Sequence, residues 1–280
     1  MTGRLLPTSV LTAAALFVPG QASRIAGCFE RGAPVARWSL PPQYREVSGL
    51  ALSDDGRLFL HGDERGLVGA LDPATGKMLG TFQLGSQLAL DDFEGIAIAA
   101  GRLYLVTSQG VLYEGTLPAR AVTSGTLDVT KTVTGVGRFC EVEGLAYVPG
   151  DQVLLLACKS PRVKALRGST AVFRWSVPSK ALATPDRILI KEQELAKGHQ
   201  GRGFHASGIE VDPATGHYLL VAGPERAIAE VDRSGRVLGS WSLRGKHPQV
   251  EGIAVTPSGD VLISDEGVKG PGTVTVYACR

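Results

Sequence analysis

Val47-Ser48-Gly49-Leu50-Ala51, Phe93-Glu94-Gly95-Ile96-Ala97, Val142-Glu143-Gly144-Leu145-Ala146, Ala206-Ser207-Gly208-Ile209-Glu210 and Val250-Glu251-Gly252-Ile253-Ala254 are five versions of one phrase. Their glycines lie 46, 49, 64 and 44 residues apart. A period in the forties, with several short strands per unit, is the signature of a β-propeller blade, a unit that needs neighbours to cover its apolar faces. The phrase therefore predicts an all-β chain folded as a five-bladed β-propeller, with each copy on the innermost strand of its blade.

The same grammar surrounds each copy. After the first, Ser53-Asp54-Asp55-Gly56 turns into Arg57-Leu58-Phe59-Leu60; the runs from Leu67 to Leu71 and Met78 to Leu84 follow, separated by Asp72-Pro73-Ala74-Thr75-Gly76. The fourth unit repeats this with Asp212-Pro213-Ala214-Thr215-Gly216. Clusters of Asp, Pro and Gly between β-rich runs mark turns. Only Lys191 to Lys197 reads as a short helix. The last unit ends after its third strand, Thr273 to Tyr277, while Arg37-Trp38-Ser39-Leu40 resembles the outer strands Thr81-Phe82-Gln83-Leu84 and Ser240-Trp241-Ser242-Leu243. The segment from Val35 to Leu40 is thus expected to complete the fifth blade, closing the N-terminus onto the C-terminus and leaving no open sheet edge there. The long interval between Gly144 and Gly208 reads as an insertion holding extra loops, not as a sixth blade.

A chain of 280 residues with 44% hydrophobic residues and a formal charge of +2 has room for one large all-β domain and offers no electrostatic case for a nucleic-acid partner. Near the N-terminus, Arg4, the apolar run from Leu5 to Val18 and Gly20-Gln21-Ala22 read as a secretory signal peptide, the run being too short to span a bilayer. The expected organisation is a signal peptide over 1–22, an extension over 23–34 and the propeller over 35–280, in a periplasmic or secreted monomer. Ile25-Ala26-Gly27-Cys28 also resembles a lipidation box, so membrane attachment is expected only if Cys28 is lipidated. Cysteines of an exported chain are expected to pair. Cys140 precedes one inner strand and Cys158 ends the next, facing each other across a hairpin, which leaves Cys28 and Cys279 to tie the chain ends.

Equivalent inner-strand positions form rings about a propeller axis. The residue before each glycine gives Ser48, Glu94, Glu143, Ser207 and Glu251; two residues earlier, on the same side of a strand, stand Glu46, Asp92, Glu141, His205 and Gln249. Six of these ten positions are acidic, although Asp and Glu make up only 27 of 280 residues, so the acid is concentrated at the axis. Converging carboxylates repel one another until something neutralises them. Ca²⁺, which takes six to eight oxygen ligands, suits such a ring, whereas the lack of paired His or Cys argues against zinc. Glu94, Glu143 and Glu251 are the first candidate ligands, with Asp92, Glu141 and Glu46 outside them. An alternative is architectural, each glutamate accepting backbone amides of the neighbouring blade.

Asp63 and Asp265 lie in turns expected at the same mouth, where they either reach the ring or are ordinary exposed turn acids. The loop from Lys197 to His205 is basic and glycine-rich. Its Arg202 and His205 either meet an anionic ligand or are solvated. His217 and His247 sit beside turns and are expected to be exposed. No nucleophile elbow, His-Glu-x-x-His or phosphate-binding glycine loop is present.

Val47-Ser48-Gly49-Leu50, Asp91-Asp92-Phe93-Glu94-Gly95-Ile96, Ala206-Ser207-Gly208-Ile209 and Gln249-Val250-Glu251-Gly252-Ile253, in that order and spacing, resemble the bacterial SdiA-regulated family of exported propellers, itself distantly similar to NHL-repeat proteins. The resemblance spans roughly Val35 to Tyr277 and implies five blades and a calcium site, but no activity. One departure stands out: members often carry an acid after the second strand of the Asp-Phe-Glu-Gly blade, where this chain has Thr107-Ser108-Gln109. The expectation is a calcium-binding module that takes a small anionic ligand or a protein partner at its channel mouth. The alternative is a calcium-dependent hydrolase of lactones or phosphoesters, with His205 or His61 as base.

Overall fold

Each copy of the phrase opens the innermost strand of a sheet: Val47–Leu52, Phe93–Ala99, Cys140–Val148, Ala206–Val211 and Val250–Val255. The computed structural model describes residues 23–199, 201 and 203–279. The expected signal segment, residues 1–22, and Arg202 lie outside the described residues. The five sheets are the blades of a propeller, numbered here 1 to 5 from the first phrase. Among the described residues no helix is long and apolar enough to cross a membrane.

The ring closes as expected. In blade 5 the strands Val250–Val255, Val261–Asp265 and Thr273–Tyr277 are followed by Ala36–Ser39, which pairs antiparallel with Thr273–Tyr277 and sets Trp38 opposite Val274. A disulfide between Cys28 and Cys279, 251 residues apart, fastens the same junction, and a second joins Cys140 to Cys158 within blade 3. Both pairings match the expected ones and indicate an oxidising, exported environment. The Cys28 sulfur, being in a disulfide, offers no thiol for lipidation. Residues 23–34 are more than an extension. The helix Ala26–Arg31 buries Phe29, and with Ile25 that ring enters the core between blades 4 and 5. Arg24 Nε reaches Asp212 at 2.6 Å and the Ser23 hydroxyl donates to Glu230 at 2.5 Å, so both residues are pinned to blade 4.

The chain departs from the simple repeat in two places. Between the third and fourth strands of blade 2, Ser124–Leu127 crosses to blade 1 and pairs in parallel with its outer strand Met78–Leu84, covering that edge. In blade 3 the extra residues lengthen the outer strand, Ala181–Lys191, to 11 residues, against 7 in Met78–Leu84. The helix expected from Lys191 is α-helical only over Glu192–Leu195 and continues as a 3₁₀ turn.

His217 and His247 are not exposed but 6% and 2% accessible. Buried carboxylates draw them in: His217 Nδ1 lies 2.6 Å from Glu230 Oε1, and His247 Nδ1 lies 2.8 Å from Asp265 Oδ2. A turn-adjacent position looks solvated in sequence, but a buried acid requires a hydrogen-bonding partner.

The core is five cores, one at each blade–blade interface. Along Tyr218–Ala222, Leu219 and Val221 face blade 5 while Leu220 and Ala222 face blade 3. With both faces covered, such a strand shows an unbroken apolar run rather than alternation. Nearest the axis the blades touch through the phrase glycines. A Cβ on Gly95 would stand 2.7 Å from the Leu145 amide nitrogen of blade 3, and one on Gly252 would stand 2.7 Å from the Leu50 nitrogen of blade 1. Gly144 and Gly208 press in the same way on blades 4 and 5, with the nearest backbone atoms at 3.0 and 2.4 Å. Each glycine leans on the phrase of the next blade, so the contact runs round the ring.

Overpacking a site walled by backbone costs about 1–3 kcal/mol. Gly95→Ala should therefore lower stability by about that amount in chemical denaturation. Gly150→Ala, where a Cβ meets nothing within 4 Å, should change it little. Equal effects would deny the glycine ring its role.

Candidate functional site

At every phrase the pairing of the inner strand slips by one residue. Val47 faces Gly62 but Gly49 faces His61, leaving Ser48 over; Phe93 faces Thr107 but Gly95 faces Val106, leaving Glu94 over. Val142 and Gly144 straddle Glu143, Ala206 and Gly208 straddle Ser207, and the shift in blade 5 falls between Val250 and Ile253. A β-bulge leaves its extra residue unpaired and re-aims that side chain. Five bulges at one repeat position thus make a ring from a linear pattern. Ser48, Glu94, Glu143 and Ser207, with the phrase glycines, line an axial constriction of about 10 Å³, room for about one water.

The ring's carboxylates are poorly solvated. Burial, then Glu143, Asp92 and Glu251, push the Glu94 carboxyl far above the usual carboxylate range. Glu143 is 2% exposed and its pKa is also raised, burial outweighing Lys159, whose Nζ lies 3.0 Å from Glu143 Oε2. Glu251 is pushed up to about 8, first by burial and then by Glu143, against the opposing hydrogen bond from Gln249 Nε2 at 3.0 Å.

Lys159 is the residue that the repeat did not point to. Glu141 faces Ser160 and Val142 faces Cys158, so Lys159 is itself bulged out of the strand Val153–Pro161, immediately after the Cys140–Cys158 disulfide. Burial pulls its pKa down, yet Glu143, Glu251 and Glu94 outweigh that and raise it. One ammonium therefore answers to all three ring glutamates. Its sequence signal was its place opposite Glu143 in the hairpin, visible only once that register was known.

The residues two positions before each ring residue do not form a second ring of the same kind, because the bulge breaks the period of two. Asp92 and Glu141 still add to the ring's negative potential. Asp92 is exposed and accepts a hydrogen bond from the Ser108 hydroxyl. Glu46 is exposed and stands with Asp63 and Glu64 at a side pocket of about 240 Å³, where burial and the two glutamates raise the Asp63 pKa. Asp265 is fully buried against His247 and points into its blade. His205 is exposed, with Nδ1 2.7 Å from Glu225 Oε1. His61 is fully enclosed behind Gly49, its Nδ1 2.8 Å from the Gly62 carbonyl, and burial lowers its pKa to about 4. It stays neutral and out of reach of a substrate.

One ring residue does tie blade to blade, though not as expected of the glutamates: the Ser207 hydroxyl donates to the Val250 carbonyl of the next blade at 2.8 Å. Among the described residues, none of the three glutamates accepts a backbone amide; Glu143 takes Lys159 and Glu251 takes Gln249. Nor do three His, Cys, Asp or Glu side chains among the described residues already stand as a metal cluster. What the mouth presents is three carboxylates and one ammonium on short backbone pedestals.

No curated protein sequence matches this chain. Among solved structures it is similar to the glutaminyl cyclase of Myxococcus xanthus, at a TM-score of 0.60 and 17% identity over 87% of this chain and 94% of that one. It is also similar to a luciferin-regenerating enzyme (TM-score 0.56, 9% identity, 88% and 95% covered) and to the PQQ-bound aldose sugar dehydrogenase of Streptomyces coelicolor (0.54, 14%, 88% and 99%). At these identities the likeness is one of fold. Residues 39–271 match the family model described as SdiA-regulated, and with its five bulged phrases the chain belongs to the SdiA-regulated family.

Proposed function

We propose that this chain is an exported calcium-binding propeller that recognises an anionic ligand or a protein partner at its acidic mouth. The observation that carries the reading is the imbalance of the ring: Glu94, Glu143 and Glu251 come from three blades on the same bulge, and among the described residues Lys159 is the cation that offsets them. The donors are hard oxygens, as Ca²⁺ requires, and no imidazole or thiolate stands among them. Glu94, Glu143 and Glu251 would hold the ion, with Asp92 and Glu141 adding negative potential around it. When bound, calcium supplies a positive centre at the mouth that favours an anionic group. Lys159 competes for the same carboxylates; on release from Glu143 its ammonium becomes a further donor to such a ligand. The two disulfides support an exported setting.

A second reading, hydrolysis, is favoured by one observation. A carboxyl held protonated near neutrality, as Glu94 is, can serve as a general acid. Of the two histidines considered as base, only His205 is exposed. Turnover on a lactone and phosphoester panel that disappears in Glu94→Gln would move the assignment to an enzyme, and no turnover would leave the binding reading.

Calorimetric titration of the chelator-treated chain with Ca²⁺ should show saturable binding, lost in Glu94→Gln and Glu143→Gln. Removing the competing ammonium with Lys159→Met should tighten it about tenfold, on the scale of one charge-assisted pair. Absence of binding by folded wild-type protein sinks the calcium reading.

Stability should depend on pH in a direction the ring dictates. Folding raises the Glu251 pKa from 4.5 to about 8. Between those values the folded state binds more protons than the unfolded one, and stability falls as pH rises. Urea denaturation of the calcium-free chain at about pH 5 and about pH 8 should show this loss, reduced in Glu251→Gln. A loss undiminished in the variant would place its origin elsewhere.

A further inference from the structure

The far ends of the inner strands open into a second mouth. There the propeller forms a bowl of about 540 Å³, the size of a small-molecule site. Its wall mixes polar and apolar surface, the apolar part including Ile98, Leu145, Tyr147 and Val255 from three different blades. Among the described residues the charged ones lining it are Asp54 and Glu210, both acids, with no Lys or Arg beside them. The axial constriction of about 10 Å³ separates this bowl from the acidic mouth and is too narrow for an organic molecule to pass.

Glu210 breaks the phrase. The other four copies end in alanine, Ala51, Ala97, Ala146 and Ala254, all 4% exposed or less and packed between blades. A carboxylate at this position is therefore not required by the fold. Its Oε1 accepts the adjacent Val211 amide at 2.7 Å, and among the described residues Oε2 has no hydrogen-bond partner. The neighbouring acid, Asp212, is already matched by Arg24 at 2.6 Å, and that arginine also donates to the carbonyls of Gly259 and Cys279. Burial raises the Glu210 pKa to about 8, in keeping with an acid that lacks a cation.

We propose that this bowl is a second binding site, for a small organic cation: a primary or quaternary amine carrying an apolar group. Glu210 is the counter-ion, Tyr147 supplies an aromatic wall of the kind that attracts ammonium groups, and the aliphatic wall takes the apolar part. The site is independent of calcium and of the acidic mouth.

The test is calorimetric or ligand-observed NMR titration of the full chain with benzyltrimethylammonium, using phenylacetate as a control of similar shape and opposite charge. Saturable binding of the cation, with no competition from phenylacetate, is the expected result. Glu210→Gln and Glu210→Ala should weaken it about tenfold or more, in line with the loss of a charge-assisted contact. Glu143→Gln, at the other mouth, should leave it unchanged, and thermal unfolding establishes that each variant is folded. The proposal is overturned if the cation does not saturate, if phenylacetate binds equally well, or if folded Glu210→Gln retains wild-type affinity. A loss in Glu143→Gln alone would move the cation to the acidic mouth and overturn it as well.

Discussion

Five glycines without side chains let five blades meet. Where Gly95 lies on the Leu145 amide and Gly252 on that of Leu50, the nearest atoms across the interface are backbone, with no flexible side chain to give way. A five-bladed ring has a narrow axis, and its inner strands converge more closely than any Cβ permits. The five interface cores depend on that approach, since each is the volume left between two blades whose inner edges already touch. The phrase recurs because the contact does.

The same closeness concentrates charge. The bulge before each glycine leaves one side chain without a place in the ladder and turns it toward the axis. Where that residue is Ser207, its hydroxyl joins the neighbouring blade at Val250. Where it is glutamate, carboxylates from three blades converge in a space that excludes most water, and burial opposes their ionisation more than any neighbour does. Burial there penalises an ionised glutamate in a way it does not penalise a serine. Three acids there mark a site in tension with the fold, which is where function is expected to sit.

Three other buried acids are matched. His217 meets Glu230, His247 meets Asp265, and Arg24 meets Asp212 while reaching the carbonyls of Gly259 and Cys279. These contacts gather the N-terminal segment and blades 4 and 5 at the junction where the ring closes, beside the Cys28–Cys279 disulfide. The seam of a propeller joins strands distant in sequence, so loop-closure entropy weighs most there. The disulfide and the ion pairs offset it.

Much of this was readable from residue order. The blade count, the closing strand near Trp38, both disulfides and the positions of Glu94, Glu143 and Glu251 follow from a repeat, because equivalent positions in a closed ring are neighbours whatever lies between them. Register and burial were not readable. The slip between Val142 and Gly144 ended the alternation that placed Glu141 beside Glu143, and a second slip brought Lys159 to the ring. His247 looked like a surface residue until Asp265 was found buried beside it. Glu210 is one variation of a phrase in the sequence, and its place in a bowl depends on how the far ends of the strands come together. A repeating sequence determines which residues are equivalent. Which of them are paired, bulged, solvated or enclosed depends on contacts between strands remote in the chain, and those exist only once the ring has closed.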